Sequence, residues 1–282
     1  MSIAVISVAQ MREWENATWC KRQTQKAVIA RVGKIVAKRI LQLTQTDDVI
    51  LILAGKGHNG DDARAALPLL PQRKVILLNV PDPRAALTKF LATLKKATKP
   101  KLILDGLFGI GLNRALNDHW QKLIVAVNES KIPVLAVDVP SGIDADTGEV
   151  RGAAIEAQIT LTLAAPKRGF FSPTAIPFVG RLEVVPDIGL VPCPFSSDLN
   201  WTNAEEFQNF PPTRSVIGHK GSFGHAIIVA GSLGYHGAAV LSSHGALRAQ
   251  PGLVSVFTPE NVYLPVASQS QAAMVHPWKS AK

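Results

Sequence analysis

The feature that most constrains the fold is a continuous apolar segment, Val49–Ala54, which runs directly into a glycine-rich stretch at 55–60. Six consecutive apolar residues without alternation are typical of a strand that is buried on both faces of a parallel sheet. Similar strands are predicted at 75–80, 102–104 and 134–137. The sequence therefore predicts a sheet core whose strands are covered on both sides.

Helix-length segments separate these strands, at 61–70, 83–97 and 117–130. Strands that alternate with helices in this way form an open, mostly parallel α/β sheet with crossover helices. The first forty residues are predicted to be helical as well, with Ser7 and Gln10 as a capping box. We expect a ligand to bind at the ends of the strands, because the loops gather there.

The pattern changes after about residue 159, where shorter strand-like pieces appear at 159–163 and 182–185. A looser, proline-containing stretch follows, and it predicts a linker. A strand, a helix and a second strand are then predicted at 226–230, 238–249 and 253–257. We therefore predict a first domain at 1–190, a linker at 191–218 and a second segment at 219–282.

Composition narrows the class of partner. The 282 residues carry a net charge of +9, but the basic residues are scattered and not interleaved with aromatic ones, so a nucleic-acid partner is not expected. A phosphate-bearing small molecule suits the charge equally well. The apolar runs are too short to cross a bilayer, and two isolated cysteines, Cys20 and Cys193, fit a reducing compartment. We expect a cytoplasmic protein without membrane contact or signal peptide.

Three polar loops follow three of the predicted strands, at 55–62, 105–112 and 137–144. Because parallel strands end at one edge of a sheet, these loops are predicted to form one site. The glycines of the first loop fit a dinucleotide fingerprint, and they also fit a tight turn with acidic capping. The fingerprint would be consistent with a dehydrogenase. That interpretation is weakened by Asp61 and Asp62, because two carboxylates at the predicted start of the helix would repel the pyrophosphate of a dinucleotide.

In order and spacing, these loops resemble the motifs of the NAD(P)H-hydrate epimerases, which read approximately Gly-Lys-Gly-Asn-Asn-Gly-Gly-Asp-Gly, Asp-x-Leu-Phe-Gly-x-Gly-Leu and Val-Asp-x-Pro-Ser-Gly. The resemblance extends over 10–189 and includes the segment Ala-Pro-Lys-Arg-Gly at 165–169. It implies a Rossmann-like three-layer α/β sandwich and an isomerase of metabolite repair, which interconverts the R and S forms of hydrated NADH and NADPH.

The resemblance also implies site residues. It assigns a potassium ion to Asn59, Asp105 and Ser141. The substrate contacts that it implies are His58, Asn59, Gly60, Asp61, Asp62, Gly109, Ile110, Gly111, Leu112, Asn113, Arg114, Ala115 and Asp138. Amide, carboxylate and hydroxyl oxygens suit potassium.

Asp138 is the candidate acid/base, because epimerisation of a hydroxyl-bearing carbon needs proton transfer and burial could raise the pKa of this carboxyl. Lys167 is a candidate partner of the substrate phosphates or of Asp138, and a surface lysine is an equally good interpretation. Three residues depart from the family pattern: His58 replaces Asn, and Asp61 and Ala63 replace Gly. If position 61 or 63 needs a left-handed backbone, a side chain there costs on the order of 1 kcal/mol.

The second segment resembles the start of the ADP- or ATP-dependent NAD(P)H-hydrate dehydratases, with a ribokinase-like α/β fold, through 219–225, 230–232 and 237–239. In bacteria the two domains are often fused into a bifunctional repair enzyme. Since the later nucleotide loop and catalytic Asp of that family have no counterpart here, an incomplete ribokinase-like segment without dehydratase activity is expected. ADP or ATP and Mg²⁺ would be needed only by a complete domain. A homo-oligomer is possible, and the alternative to an epimerase is a non-catalytic Rossmann-like binding module.

Overall fold

The computed structural model describes residues 2–21, 23–210 and 213–279. The chain forms two compact units, Met1–Thr202 and Asn203–Lys282. The division falls inside the predicted linker at 191–218, of which Pro211 and Pro212 lie outside the described residues, as do residues 280–282 of the predicted second segment. The predicted domain limits stay predictions.

In chain order, the strands and helices of the first unit are β1 (Ile3–Ala4), α1 (Val8–Trp19), α2 (Gln25–Leu43), β2 (Val49–Ala54), α3 (His58–Ala66), β3 (Lys74–Asn79), α4 (Pro83–Leu94), β4 (Leu102–Gly106), α5 (Asp118–Glu129), β5 (Val134–Val137), β6 (Ile159–Leu163), α6 (Ile176–Val179), β7 (Arg181–Val185) and β8 (Asn200–Trp201). Six strands form a parallel sheet in the order β3-β2-β4-β5-β6-β7. The short β1 and β8 pair antiparallel.

The sheet is the middle layer of three. Alternate residues of β2 point to opposite faces: Ile50 and Ile52 pack in one core with α1, α2 and α3, whereas Leu51 and Leu53 pack in another with α4 and α5. All six residues of β2 are buried, which explains its unbroken apolar sequence. The predicted three-layer α/β class is confirmed.

Two helix predictions need correction. The predicted N-terminal helix is two helices, because the chain leaves α1 after Trp19 and Thr24 caps a new helix by accepting from the Ala27 N–H at 3.3 Å. The Ser7–Gln10 capping box is present at the start of α1. The helix predicted at 61–70 begins at His58, with Gly57 as its N-cap.

The C-terminal part of the first unit returns to α1. The indole Nε1 of Trp14 donates to the Val191 carbonyl at 2.8 Å, and the Val5 N–H donates to the Leu199 carbonyl at 3.0 Å. Residues 191–202, which the sequence places in the linker, therefore pack within this unit.

Strand order sets the position of the site. β2, β4 and β5 are neighbours, and the register pairs Asp105 with Leu53 on one side and with Ala136 on the other. The three polar loops therefore leave one edge of the sheet side by side, as predicted.

The second unit contains β9 (His225–Val229), α7 (His236–Arg248), β10 (Leu253–Pro259), α8 (Tyr263–Gln269) and β11 (Met274–Trp278). Its three strands are parallel, in the order β11-β10-β9. A small core of its own includes Val240, Val254, Val256 and Val266. Nowhere in the described ranges is a helix long and apolar enough to span a membrane.

Candidate functional site

A cleft of about 620 Å³ opens at the carboxyl edge of the six-stranded sheet. Of the predicted substrate contacts, those that line it are His58, Asn59, Asp62, Gly109, Ile110, Gly111, Leu112, Asn113, Arg114 and Asp138. Three others, Gly60, Asp61 and Ala115, are not part of its lining. The structure therefore gathers most of the predicted set around one space, with α1 and α2 supplying the facing wall.

The glycine-rich loop at 55–60 is held by close backbone contacts. A Cβ atom on Gly55 would lie 2.0 Å from the Leu107 carbonyl oxygen, and one on Gly60 would lie 2.1 Å from the Gly55 carbonyl oxygen. Only glycine permits these approaches. The approach at Gly55 places the loop after β2 against the loop after β4, and the approach at Gly60 packs the first turn of α3 against Gly55.

The two acidic residues of α3 have different surroundings. Asp61 accepts a hydrogen bond from Arg64 Nη1 at 2.8 Å and is half-exposed, so its charge is balanced outside the cleft. Asp62 is buried and lines the cleft, and burial raises its pKa to about 8, with further contributions from the negative charges of Asp138, Asp61 and Glu15. α3 thus begins earlier than predicted, at His58, and Asp61 lies in its first turn, where it is paired with Arg64. The predicted repulsion of an anion by this acidic pair stays a prediction.

Neither departure from the glycine pattern strains the backbone. Positions 61 and 63 lie inside α3, and neither has a positive φ. Ala63 is fully buried in the core beneath the loop. The cost expected for a left-handed backbone at these positions does not arise.

Oxygen atoms from three loops meet beside the cleft. Asp105 Oδ1 accepts from Ser141 Oγ at 2.7 Å and from the Leu107 N–H at 3.1 Å, and Asp105 Oδ2 accepts from the Ser141 N–H at 2.8 Å. Asn59 Nδ2 donates to the Phe108 carbonyl at 2.7 Å. The three predicted potassium ligands are thus brought together. The Phe108 carbonyl belongs to the same cluster. The sequence could not single it out, because every residue has a backbone carbonyl.

The charge balance of this cluster suits a cation. Asp105 is fully buried, and burial raises its pKa to about 6 even though Ser141 and Leu107 donate hydrogen bonds to it. Within the described residues, neither Lys, Arg nor His forms an ion pair with Asp105. No group of three or more His, Cys, Asp or Glu side chains in the described part of the chain is arranged for a metal ion. The atoms available to coordinate a cation are amide, carboxylate, hydroxyl and carbonyl oxygens, which are ligands of hard cations.

Asp138 is held by a buried lysine. Lys167 is completely inaccessible to solvent, and its Nζ donates to Asp138 Oδ1, to Thr162 Oγ1 at 3.1 Å and to the Leu163 carbonyl at 2.9 Å. The interpretation of Lys167 as a surface lysine is therefore wrong. Since Lys167 does not line the cleft, its contacts favour steadying Asp138 over binding a phosphate.

The backbone at this pair is unusual. Asp138 has a φ of 63°, and Ala164, at the end of the neighbouring strand, has a φ of 62°. Side-chain-bearing residues rarely adopt this left-handed conformation, and it occurs preferentially at functional sites. The two turns place Asp138 on the cleft and direct the chain after β6 back to it.

Glu15, on α1, is a cleft residue that the sequence interpretation missed. Burial raises the pKa of Glu15, the negative charge of Asp138 raises it further, and Lys167, His58 and Arg12 lower it. A signal was present in the sequence. Glu15 lies four residues after Met11 and three before Thr18, both buried, so an acidic side chain sits beside the inward face of the helix.

An open parallel α/β sheet with a ligand cleft at its carboxyl edge and a lysine-paired carboxylate in that cleft defines a Rossmann-like small-molecule site. Residues 79–169 match the family profile described as YjeF-related protein N-terminus, and residues 226–282 match that of NAD(P)H-hydrate dehydratase. An NAD(P)H-hydrate epimerase of Achromobacter xylosoxidans is 38% identical over 183 residues, which cover 59% of this chain and 86% of that protein. The chain belongs to the NAD(P)H-hydrate epimerase family.

Longer relatives contain both matched regions. The bifunctional NAD(P)H-hydrate repair enzymes of Synechocystis and Coxiella burnetii are 31% and 32% identical over 295 and 274 residues, covering 96% and 90% of this chain. This chain spans 56% of the length of each of these two enzymes. A crystal structure of yeast YNL200c covers 59% of this chain and 83% of its own, with 20% identity and a TM-score of 0.49.

Proposed function

We propose that this protein interconverts the R and S forms of hydrated NADH and NADPH by acid/base chemistry. The observation that carries the proposal is the Asp138–Lys167 pair: a carboxylate on the cleft, fixed by a fully buried ammonium group. A carboxyl group held in one orientation next to a ligand is the usual device for proton transfer.

The hydrogen bonds of Asp138 indicate which atom acts. Among the described residues, the donors to its carboxylate are Lys167 Nζ, Thr162 Oγ1 and the Leu163 N–H, and all three contact Oδ1. Oδ2 is therefore free to exchange a proton with the hydroxyl of a bound hydrate.

The cleft also has the charge that a dinucleotide requires. Arg12, Lys56 and Arg114 line it, and their positive charges suit the phosphate groups of the substrate. His58, Asn59, Asp62 and residues 109–114 are the proposed substrate contacts. Phe108 and Trp120 form an aromatic wall of the cleft, with their rings edge to face and their ring centroids 4.6 Å apart.

Asn59, Asp105 and Ser141, with the Phe108 carbonyl, are the residues that would hold a potassium ion. The unbalanced negative charge of buried Asp105 supports this assignment. When bound, the ion supplies a positive charge at the point where the loops after β2, β4 and β5 meet. Asp105 and Ser141 meanwhile keep the loop at 107–108 in place through the hydrogen bonds described above.

The test uses the full chain, the pure R epimer of hydrated NADH and potassium chloride, with both epimers followed by chromatography. We expect the approach to the R/S equilibrium to be faster than the spontaneous rate, and Asp138→Asn to remove the acceleration while the protein stays folded. A spontaneous rate with folded wild-type protein would overturn the epimerase and leave a non-catalytic binding module.

A further inference from the structure

An epimerisation at a hydroxyl-bearing carbon needs two proton-transfer events, one at the oxygen that leaves and one at the oxygen that returns on the other face. Asp138 supplies one proton-transfer group. We infer that Glu15 is the second proton-transfer residue of this cleft, acting from α1 while Asp138 acts from the end of β5. The inference rests on the proposed function and adds a residue to it.

The position of Glu15 is fixed by the packing of α1. Met11, Trp14 and Thr18 are buried against the first core, and Trp14 is further anchored by its hydrogen bond to Val191. Glu15 lies beside this buried face of the helix and lines the cleft.

The start of α1 is tied directly to the segment that carries Lys167. The Ile6 N–H donates to the Pro166 carbonyl at 3.0 Å, and the Arg168 N–H donates to the Ile6 carbonyl at 3.1 Å. Glu15 and the Asp138–Lys167 pair are therefore held by one connected piece of backbone, on different walls of the same space.

The Glu15 carboxyl is available for chemistry. Across the described part of the chain it has neither a hydrogen-bond partner nor an ion pair within 4.0 Å, although it is half-buried. Burial and the charge of Asp138 raise its pKa, which increases the protonated fraction that can donate. The charged and titratable groups facing the same space are Arg12, Lys56, His58, Asp62, Arg114 and Asp138, with Lys167 behind Asp138.

The step balances in protons and electrons. Protonated Glu15 gives its proton to the hydroxyl, the C–O bond breaks to release water, and the ring nitrogen lone pair forms a C=N⁺ bond. Water then adds to the opposite face, Asp138 Oδ2 takes a proton from it, and the C=N⁺ electrons return to nitrogen. Glu15 ends ionised and Asp138 ends protonated, which is the starting state for the opposite epimer, and exchange with solvent resets the pair.

The experiment compares four full-length proteins by kcat, KM and thermal unfolding: wild type, Glu15→Gln, Glu15→Asp and Glu13→Gln. Glu13 is an exposed residue of the same helix outside the cleft, so its variant makes the same charge change without touching the site. We expect Glu15→Gln to lower kcat about 10²- to 10⁴-fold, with little change in KM or unfolding temperature. Glu15→Asp should recover part of the rate, and Glu13→Gln should match wild type.

The dependence of kcat on pH distinguishes a proton-transfer role of Glu15 from a purely structural one. The dependence of kcat on pH in wild type should contain an ionisation that Glu15→Gln lacks. If Glu15→Gln has wild-type kcat and an unchanged profile while Asp138→Asn is inactive, the role of Glu15 is overturned and the epimerase stands. If wild type itself does not exceed the spontaneous rate, the proposed function fails, and this inference fails with it.

Discussion

Asp105, near the end of β4, and Asp138, directly after the neighbouring β5, are both buried, yet their partners differ. Asp105 accepts three hydrogen bonds from Ser141 and Leu107 and has no cationic partner within the described residues. Asp138 lines the cleft and is bonded through Oδ1 to the ammonium of Lys167, whereas its Oδ2 accepts no hydrogen bond from the described part of the chain. Since burial is common to both, the neighbours alone decide what each carboxyl can do.

The difference assigns the two carboxyls to different tasks. A carboxylate with hydrogen-bond donors but no counter-charge is suited to a bound cation, which would balance it. A carboxylate with an internal counter-charge is suited to exchanging protons with a ligand, because its orientation does not depend on that ligand.

The largest loss of stability is expected from Lys167→Met, which removes the counter-charge from Asp138. Removing one partner of a buried ion pair destabilises a protein by about 3–5 kcal/mol, because the remaining charge stays buried. Urea unfolding should show this loss, together with loss of epimerisation. The double variant Lys167→Met/Asp138→Asn should recover most of the stability. A single variant as stable as the double one would contradict the proposed pair.

The next largest change in stability is expected from cation binding at Asp105. Potassium chloride, compared with choline chloride at equal ionic strength, should raise the free energy of unfolding by about 2.7 kcal/mol when the ion is about 100-fold above its Kd. Asp105→Asn should abolish this difference, and Asp138→Asn should retain it. Equal stabilisation in both variants would place the cation elsewhere.

An effect that is smaller per pH unit is expected from Asp62, which within the described residues has neither hydrogen-bond donors nor a cationic partner for its carboxyl group. Its folded pKa of about 8 exceeds the ordinary value of 3.8, so the folded state binds its proton more tightly than the unfolded state. The stabilisation is complete below the ordinary pKa and is lost as the pH rises through the folded pKa. Relative to Asp62→Asn, wild type should lose up to about 1.4 kcal/mol per pH unit in that window. Parallel curves of unfolding free energy against pH would show that Asp62 titrates normally.

The smallest effect is expected from Ala63→Gly, which restores the glycine of the family pattern. Because position 63 is helical and buried, the substitution should destabilise the protein by about 1 kcal/mol. Thermal unfolding would measure it, with Asp61→Gly as a comparison at the half-exposed position in the same helix. A stabilising Ala63→Gly would mean that this part of α3 is strained after all.

Much of the fold was readable from the sequence. β2, β5 and the edge on which the three loops meet were predicted, because continuous apolar runs and the glycines and aspartates after them are local features. The gap between α1 and α2 and the start of α3 were misjudged. In both cases the boundary depends on a capping residue, Thr24 or Gly57, whose effect the periodicity does not show.

The sequence by itself determined which residue types stand at the ends of which strands, and so the membership of Asn59, Asp105, Asp138 and Ser141 in one site. The tertiary structure alone decided the partners. Asp138 meets Lys167 across 29 positions of sequence and Asp105 meets Ser141 across 36. Glu15 reaches the cleft only because α1 packs beside it. Charge balance and burial are properties of such long-range neighbours, and no local pattern encodes them.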